Sequence, residues 1–479
     1  MKPTICKFIL LSLISMIILR TGVTIAHAHH EPNVILVYLD DAGYGDFSIT
    51  GASTETPNID SLAKNGAHFT DFQVASPVCS NSRAALLTGR YPYRYSLKDV
   101  LRDTDNTGLP EAEETMAELF KRKGYSTHIF GKWHLGHIGG ALPANHGFDE
   151  FYGIPYSNDM WKHRRDPNAL NPDDEEAYVY KPQTPNVPLP LYEGTKVVKR
   201  SLTPSDQKVF TKTFTEKTIN VIEKSKGAPF FVYLPFPSTH APLFVSDDMK
   251  GKSKGNLYRD VINEIDHGMG EIVKSLKANH VFENTIIVFT SDNGPWLRYG
   301  DHAGSTGGFR GGKNNSFEGG VRVFSFMHWP AKIKPGKVID GAVMTIDLLP
   351  TFAEILELPP QGNKLDGRSI LDVVVGKTQN NIHPYFYYYR NELEAMRYGI
   401  WKLHLPRDYY TVDKAKNSGF IGSMKRVPIG WELYNLKLDP KETRNVLQQN
   451  PKMYKKLRSM AEKFNKELMR NKTPVGTYN

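Results

Sequence analysis

The strongest constraint on this chain's fold is the run Asn33-Val34-Ile35-Leu36-Val37-Tyr38-Leu39, which has almost no polar interruption and leads directly into Asp40-Asp41. A strand with one wet face alternates polar and apolar residues. A continuous apolar run is covered on both faces, the habit of parallel strands with helices above and below. Tyr125-Ser126-Thr127-His128-Ile129-Phe130, the run from Pro229 to Leu234 and the run from Thr285 to Thr290 also read as strands. Between them, Pro57 to Ala67 (with Asn58 as cap), Glu111 to Lys123, Asp206 to Lys224 and Leu257 to Ala278 have helical patterns. Strands alternating with helices predict a doubly wound α/β sheet.

The pattern changes after about Val375. Tyr385 to Arg390, Ala395 to Leu405 and Trp431 to Leu436 read as short antiparallel strands, and Met453 to Met469 as a basic amphipathic helix packed on them. The stretch from Asp166 to Thr203, rich in Pro, Asn and charge, reads as a long surface excursion. No internal repeat or low-complexity segment interrupts the chain. The expected division is a leader over 1–28, an α/β domain over 29–375 and a smaller α+β subdomain over 376–479, since some 450 residues exceed one ordinary core.

The leader has a basic start (Lys2, Lys7), an apolar run from Phe8 to Leu19 and a small-x-small site, Ala26-His27-Ala28. This is the signature of a secretory signal peptide cleaved near Ala28, and it predicts a secreted or periplasmic protein. No later stretch is apolar enough to span a membrane. The formal net charge is +9; without Lys2, Lys7 and Arg20 of the leader it is +6. Export and the absence of a basic block argue against nucleic acid and for a polyanionic polysaccharide or a small acidic substrate.

Only two cysteines are present, Cys6 in the leader and Cys79 in Ser76-Pro77-Val78-Cys79-Ser80-Asn81-Ser82-Arg83. Once the leader is lost, Cys79 has no disulfide partner within the chain, which leaves a buried structural thiol or a chemical role. The polar stretch opens a helix at Ala84-Ala85-Leu86-Leu87, with Cys79 and Arg83 one turn apart at an end that favours anions.

Two apolar strands end in acids, at Asp40-Asp41 and at Ser291-Asp292-Asn293-Gly294. Ligands of open α/β sheets gather at such carboxyl ends. Either motif alone is equally an acidic helix cap. Together they present three carboxylates and an amide, oxygen donors that suit calcium or magnesium better than zinc. Lys132 and His134, two apart in an extended segment, His240 and Lys313 also follow strand ends or lie in a glycine-rich loop. Singly they read as solvated surface. As a set with Arg83, the lysines suit a tetrahedral oxyanion and the histidines suit proton exchange near neutral pH.

In these motifs the chain resembles the type I, formylglycine-dependent sulfatases. Glu318-Gly319-Gly320-Val321-Arg322 and Glu432-Leu433-Tyr434-Asn435-Leu436 add to the likeness, which runs from about Asn33 to Asn445. Gly153-Ile154-Pro155-Tyr156-Ser157-Asn158-Asp159 resembles the arylsulfatase A and N-acetylgalactosamine-6-sulfatase branch. The resemblance implies an alkaline-phosphatase-like α/β sandwich with a large mixed, mostly parallel sheet and a smaller C-terminal antiparallel sheet.

It also implies that a maturase oxidises Cys79 to formylglycine (3-oxoalanine), whose hydrate attacks sulfur. Asp40, Asp41, Asp292 and Asn293 would then hold one calcium ion that also binds residue 79. Arg83 would orient the nucleophile, and Lys132, Ser157 and Lys313 would bind sulfate oxygens. His240 would protonate the leaving oxygen and His134 would help expel sulfate. The chain departs from the family pattern at Asn81, where Pro or Ala is usual. The expected activity is sulfate-ester hydrolysis on an algal polysaccharide such as ulvan or carrageenan, or on a glycosaminoglycan-derived oligosaccharide. The alternatives are a phosphonate or phosphodiester hydrolase on the same scaffold, and a glycan-binding protein with unmodified Cys79. Trp161, Arg164, Arg165, Tyr409, Tyr410 and Lys425 are candidates to contact sugar.

Overall fold

The computed structural model describes residues 31–169, 173–378 and 382–478, so the leader expected over 1–28 lies outside the described residues. Its organising element is β1 (Asn33–Leu39), buried along its whole length. Val34, Leu36 and Tyr38 enter one apolar core, while Ile35, Val37 and Leu39 enter another on the opposite face. That two-sided burial is why the run tolerates so little polarity.

Beside β1 lie β5 (Phe230–Phe236) and β6 (Thr285–Ser291), both parallel to it. Next to β5 come β3 (Ser126–Lys132) and β4 (Glu150–Ile154), again parallel. On the other side, β7 (Arg322–His328) is antiparallel to β6, and β2 (Ala67–Gln73) is antiparallel to β7. Short edge strands bring this sheet to eleven strands. Helices α1 (Pro57–Lys64), α4 (Phe210–Lys224) and α5 (Leu257–Ala278) cover one face. Helices α2 (Cys79–Thr88) and α3 (Met116–Arg122) cover the other. The mixed, mostly parallel sandwich expected from the sequence is therefore present.

A four-stranded antiparallel sheet follows, in the order β8 (Pro384–Tyr389), β9 (Glu392–Tyr398), β10 (Trp401–His404), β13 (Glu432–Asn435). The terminal helix α6 (Pro451–Arg470) packs on it, with Phe464 stacked on Phe386 at 3.7 Å between ring centroids. Tyr409, Tyr410 and Lys425 lie on a hairpin of β11 (Arg407–Lys414) and β12 (Ser423–Ile429).

Five elements differ from the sequence reading. The helix expected over Pro57–Ala67 follows Thr56, with Asn58 inside it and not at its cap, and ends at Lys64, Ala67 opening β2. The helix expected from Glu111 starts at Met116, because Thr115 caps it: Glu118 N–H donates to Thr115 Oγ1 at 3.2 Å, and Thr115 N–H to Glu118 Oε2 at 2.6 Å. The one expected over Asp206–Lys224 breaks at Val209 into Pro204–Lys208 and α4. The strand expected over Ala395–Leu405 turns at Gly399, whose φ of 57° suits glycine, and becomes β9 and β10. The excursion from Asp166 to Thr203 is partly sheet: Leu191–Glu193 and Lys196–Lys199 extend the large sheet beyond β4, and Tyr178–Tyr180 pairs with His163–Arg165.

Candidate active site

The carboxyl ends of β1, β3, β5 and β6 and the first turn of α2 converge on one buried cluster. Cys79 is the first residue of α2, all ten of whose residues are buried. Its Sγ lies 3.2 Å from Lys313 Nζ. One ligand atom from each of Asp40, Asp41, Cys79 and His240 lies within 4.8 Å of the others. Burial pushes the Cys79 thiol up to about 12 even though Lys132 and Lys313 are near, so the unmodified side chain is a neutral thiol and a weak nucleophile.

Three carboxylates face three cations. Lys132 Nζ donates to Asp40 Oδ2 at 2.7 Å and to Ser157 Oγ at 3.0 Å. Lys313 Nζ lies 2.7 and 2.8 Å from the two oxygens of Asp41. Arg83, fully buried, donates from Nε and Nη2 to Asp292 Oδ2 at 3.1 and 2.8 Å, and from Nη1 to the Lys132 carbonyl at 2.9 Å. Burial would raise the Asp40 carboxyl, but Lys132, His240 and Arg83 hold it well below the usual carboxylate range. Asp292 shows the reverse: burial, then the charge of Asp40, pushes it up to about 7. Asn293 Nδ2–H donates to Asp41 Oδ1 at 2.6 Å, tying the two strand ends together.

Burial lowers both histidines. Burial, with Lys132 and Arg83 adding to it, keeps His134 well below its usual value. Burial and then Lys313 lower His240. A carbonyl can only accept, so His240 Nδ1–H donates to the Ala241 oxygen at 2.6 Å, while Nε2 lies 3.5 Å from Asp41 Oδ2. His134 carries its proton on Nε2, 2.9 Å from the Leu101 oxygen, and its buried Nδ1 has no hydrogen bond.

Asp40, Asp41, Cys79, Arg83, Lys132, Ser157, His240, Asp292, Asn293 and Lys313 are thus joined by direct contacts. His134 stands behind them, without a hydrogen bond to the cluster among the described residues. Its placement corrects the expectation that it continues the strand in line with Lys132. β3 ends at Lys132, and His134 adopts φ 61°.

Two supporting residues escaped the sequence reading. Asn158 Nδ2–H donates to the His240 carbonyl at 3.2 Å. Trp296 lies under Lys313 Nζ at 4.6 Å and beside the His240 ring at 5.4 Å. The available signal was an aromatic residue two places after Ser291-Asp292-Asn293-Gly294.

The donor set fits a hard divalent cation. Asp40 Oδ1 and Asn293 Oδ1 are buried oxygens without a hydrogen bond among the described residues. Buried polar atoms are rarely left so. The surrounding donors are carboxylates and an amide, and the neutral thiol offers no thiolate to favour zinc.

Residues 32–358 match the sulfatase family, and residues 312–472 match the N-sulphoglucosamine sulphohydrolase C-terminal family. The N-acetylgalactosamine-6-sulfatase of Canis lupus familiaris is 35% identical over 408 residues, covering 81% of this chain and 74% of that one. Arylsulfatase G of Mus musculus is 36% identical over 383 residues, covering 73% and 70%. Among solved structures, the PsFucS1 sulfatase from Pseudoalteromonas sp. superposes with a TM-score of 0.80 at 27% identity, covering 93% of this chain and 92% of that one. Ps i-CgsB in complex with k-i-k-neocarrahexaose gives 0.74 at 28%, covering 93% and 95%. The chain belongs to the sulfatase family and is a sulfuric ester hydrolase.

Proposed function

We propose that this protein removes sulfate from a sulfated carbohydrate, of algal or glycosaminoglycan type, with Cys79 converted to formylglycine and calcium held by Asp40, Asp41, Asp292 and Asn293. The observation that carries the reading is the setting of Cys79. A thiol kept neutral by burial opens a helix among three carboxylates and three cations, where unmodified sulfur has little nucleophilic use. The likeness to the PsFucS1 sulfatase, and to Ps i-CgsB solved in complex with k-i-k-neocarrahexaose, supports a carbohydrate substrate.

Formylglycine would supply the nucleophile, and calcium would neutralise charge on the nucleophile and on a sulfate oxygen. The chain's own residues do the rest. Arg83, fixed by Asp292 and the Lys132 carbonyl, orients residue 79 from one helical turn away. Lys132, Lys313 and Ser157 present an ammonium pair and a hydroxyl to the sulfate oxygens. His240, with Nδ1–H committed to the Ala241 carbonyl, exchanges a proton with the leaving oxygen through Nε2. His134, with Nε2–H committed to Leu101, has Nδ1 as its base. The leader would export the enzyme toward polymers outside the cell.

The test is mass spectrometry of the Cys79 peptide from protein made in its own host, alongside turnover of matched aryl sulfate and aryl phosphate esters. Conversion of the thiol to the aldehyde with a preference for sulfate is the expected result. An intact thiol in active enzyme refutes the formylglycine reading, and a preference for phosphate or phosphonate esters refutes the substrate reading.

A further inference from the structure

We infer that the outer face of α6 and the cavity beside it form a second binding surface, separate from the catalytic cluster, for a linear anionic polysaccharide. The inference rests on the proposed carbohydrate substrate. Helix α6 carries seven Lys or Arg residues against two Glu. At 3.6 residues per turn, Lys452, Lys455, Lys463, Lys466 and Arg470 fall within an arc of about 80° along about 27 Å of helix. All five are exposed, and none forms an ion pair among the described residues. The opposite side of the helix, with Leu457, Ala461 and Leu468, is buried against the small sheet.

The two glutamates do not neutralise this stripe. Glu462 is held by Arg458 at 2.7 Å, and Glu467 by Arg94 at 3.1 Å. A cavity of about 940 Å³ opens beside the helix, with Lys463 and Phe464 on one wall and Lys364 and Arg368 among the facing residues. Its remaining acid, Asp366, is taken by Arg94 at 2.7 Å. Lys364 and Arg368 are exposed and without an ion pair among the described residues, so the groove continues the positive stripe.

The surface is distinct from the catalytic centre. Arg90, which lines the cavity, follows the end of α2, while Cys79 begins that helix about 15 Å away. A long row of unneutralised cations suits a polymer with regularly spaced anionic groups. A membrane is a poorer match, because the apolar face of α6 is already buried. Single-stranded nucleic acid is also poorer, because Phe386 and Phe464 stack on each other and offer no free platform there for bases. Holding the polymer here would keep further sulfate groups near the catalytic cluster and raise their effective concentration.

The test compares the full-length enzyme with Lys455→Ser/Lys463→Ser/Lys466→Ser and with a control, Lys252→Ser/Lys332→Ser/Lys334→Ser, which removes equal charge elsewhere. Each is eluted by salt from immobilised carrageenan and assayed on a small aryl sulfate. The stripe variant is expected to elute earlier than the control, with the slope of log affinity against log salt shallower by about 2. Its aryl sulfate turnover should equal that of the parent. Coincident elution of the two variants overturns the inference, as does tighter retention of the parent on duplex DNA or phosphatidylserine vesicles than on carrageenan. Failure of the parent to hydrolyse the aryl sulfate counts against the proposed activity and leaves the elution comparison standing.

Discussion

Arg83→Met tests whether the cations of the cluster hold it together or merely line it. The arginine is fully buried and satisfies two donors on Asp292 Oδ2 and one on the Lys132 carbonyl, with Asp40 Oδ1 at 3.6 Å. Methionine fills much of the volume but donates nothing. It leaves Asp292 with one hydrogen bond from the Asp41 N–H and removes a compensating charge from Asp40. Breaking a buried pair by removing one partner costs about 3–5 kcal/mol, because the other charge stays desolvated.

At about 2.1 cal/mol/K per residue, a folded unit of about 450 residues unfolds with an entropy near 1 kcal/mol/K, so the expected fall in Tm is about 3–5 °C. Calorimetry in the presence of a chelator measures it without help from bound metal. Arg83→Lys should recover only part of the loss, since one ammonium cannot replace the fork that reaches both Asp292 and the Lys132 carbonyl. Turnover by the methionine variant should fall by about 10²–10³, as when a fixed charge-stabilising donor is lost. A melting point within 1 °C of the parent, or near-parental turnover, would refute this account of the cluster.

Three other perturbations test separate parts of the molecule. Lys402, fully buried between Glu318 at 2.8 Å and Glu442 at 3.5 Å, joins the small sheet to the large one. Lys402→Met should cost about 3–5 kcal/mol by denaturant titration, and Lys402→Met/Glu318→Gln should recover part of that. Burial pushes Glu264 on α5 up to about 7, so the folded state binds a proton that the unfolded state releases above pH 4.5, and stability falls as pH rises from 4.5 to 7. Glu264→Gln removes that loss: its Tm should match the parent below pH 4.5 and exceed it by about 3 °C above pH 7, corresponding to about 3 kcal/mol. Asn81 Nδ2–H donates to the Leu97 carbonyl at 2.8 Å, so Asn81→Ala should cost about 1–3 kcal/mol. If the modifying machinery reads the family pattern, the same variant should show an equal or higher fraction of modified Cys79 by mass spectrometry.

The large sheet was legible because its strands are buried on both faces and so lose the polar alternation that makes short strands ambiguous. The residues of β1, divided between two cores, are the clearest case. The small sheet was legible in outline only. Its strands are short, and Gly399 turns the chain where hydrophobicity alone continues, a turn set by φ 57°. The paired edge strands at Leu191–Glu193 and Lys196–Lys199 were hidden because Lys196–Lys199 is wholly exposed and sets its two valines side by side, without alternation. The cluster's residue types could be read because carboxylates and lysines recur at strand ends. The roles of Trp296 and Asn158 could not, because both lie in or beside motifs whose spacing marks position and not the contact each side chain makes.

How the cluster closes also depends on backbone that periodicity does not reveal. In an extended chain, neighbouring side chains point to opposite faces, so Asp40 and Asp41 would diverge. Asp41 instead has φ 64°, and His134, two residues beyond Lys132, has φ 61°. Aspartate and histidine enter this left-handed region several times more readily than most residues, though still at a cost. The turn lets Lys132 reach Asp40 and Lys313 reach Asp41 within one cluster. Its supports are the Asp41 N–H on Asp292 Oδ1 at 3.0 Å and the His134 N–H on the Pro155 oxygen at 3.1 Å. The same carboxylate of Asp292 therefore holds the strained backbone through one oxygen and Arg83 through the other. A change at Asp292 thus displaces both the oxygens suited to a cation and the helix that carries Cys79, so its loss should exceed that of either contact alone.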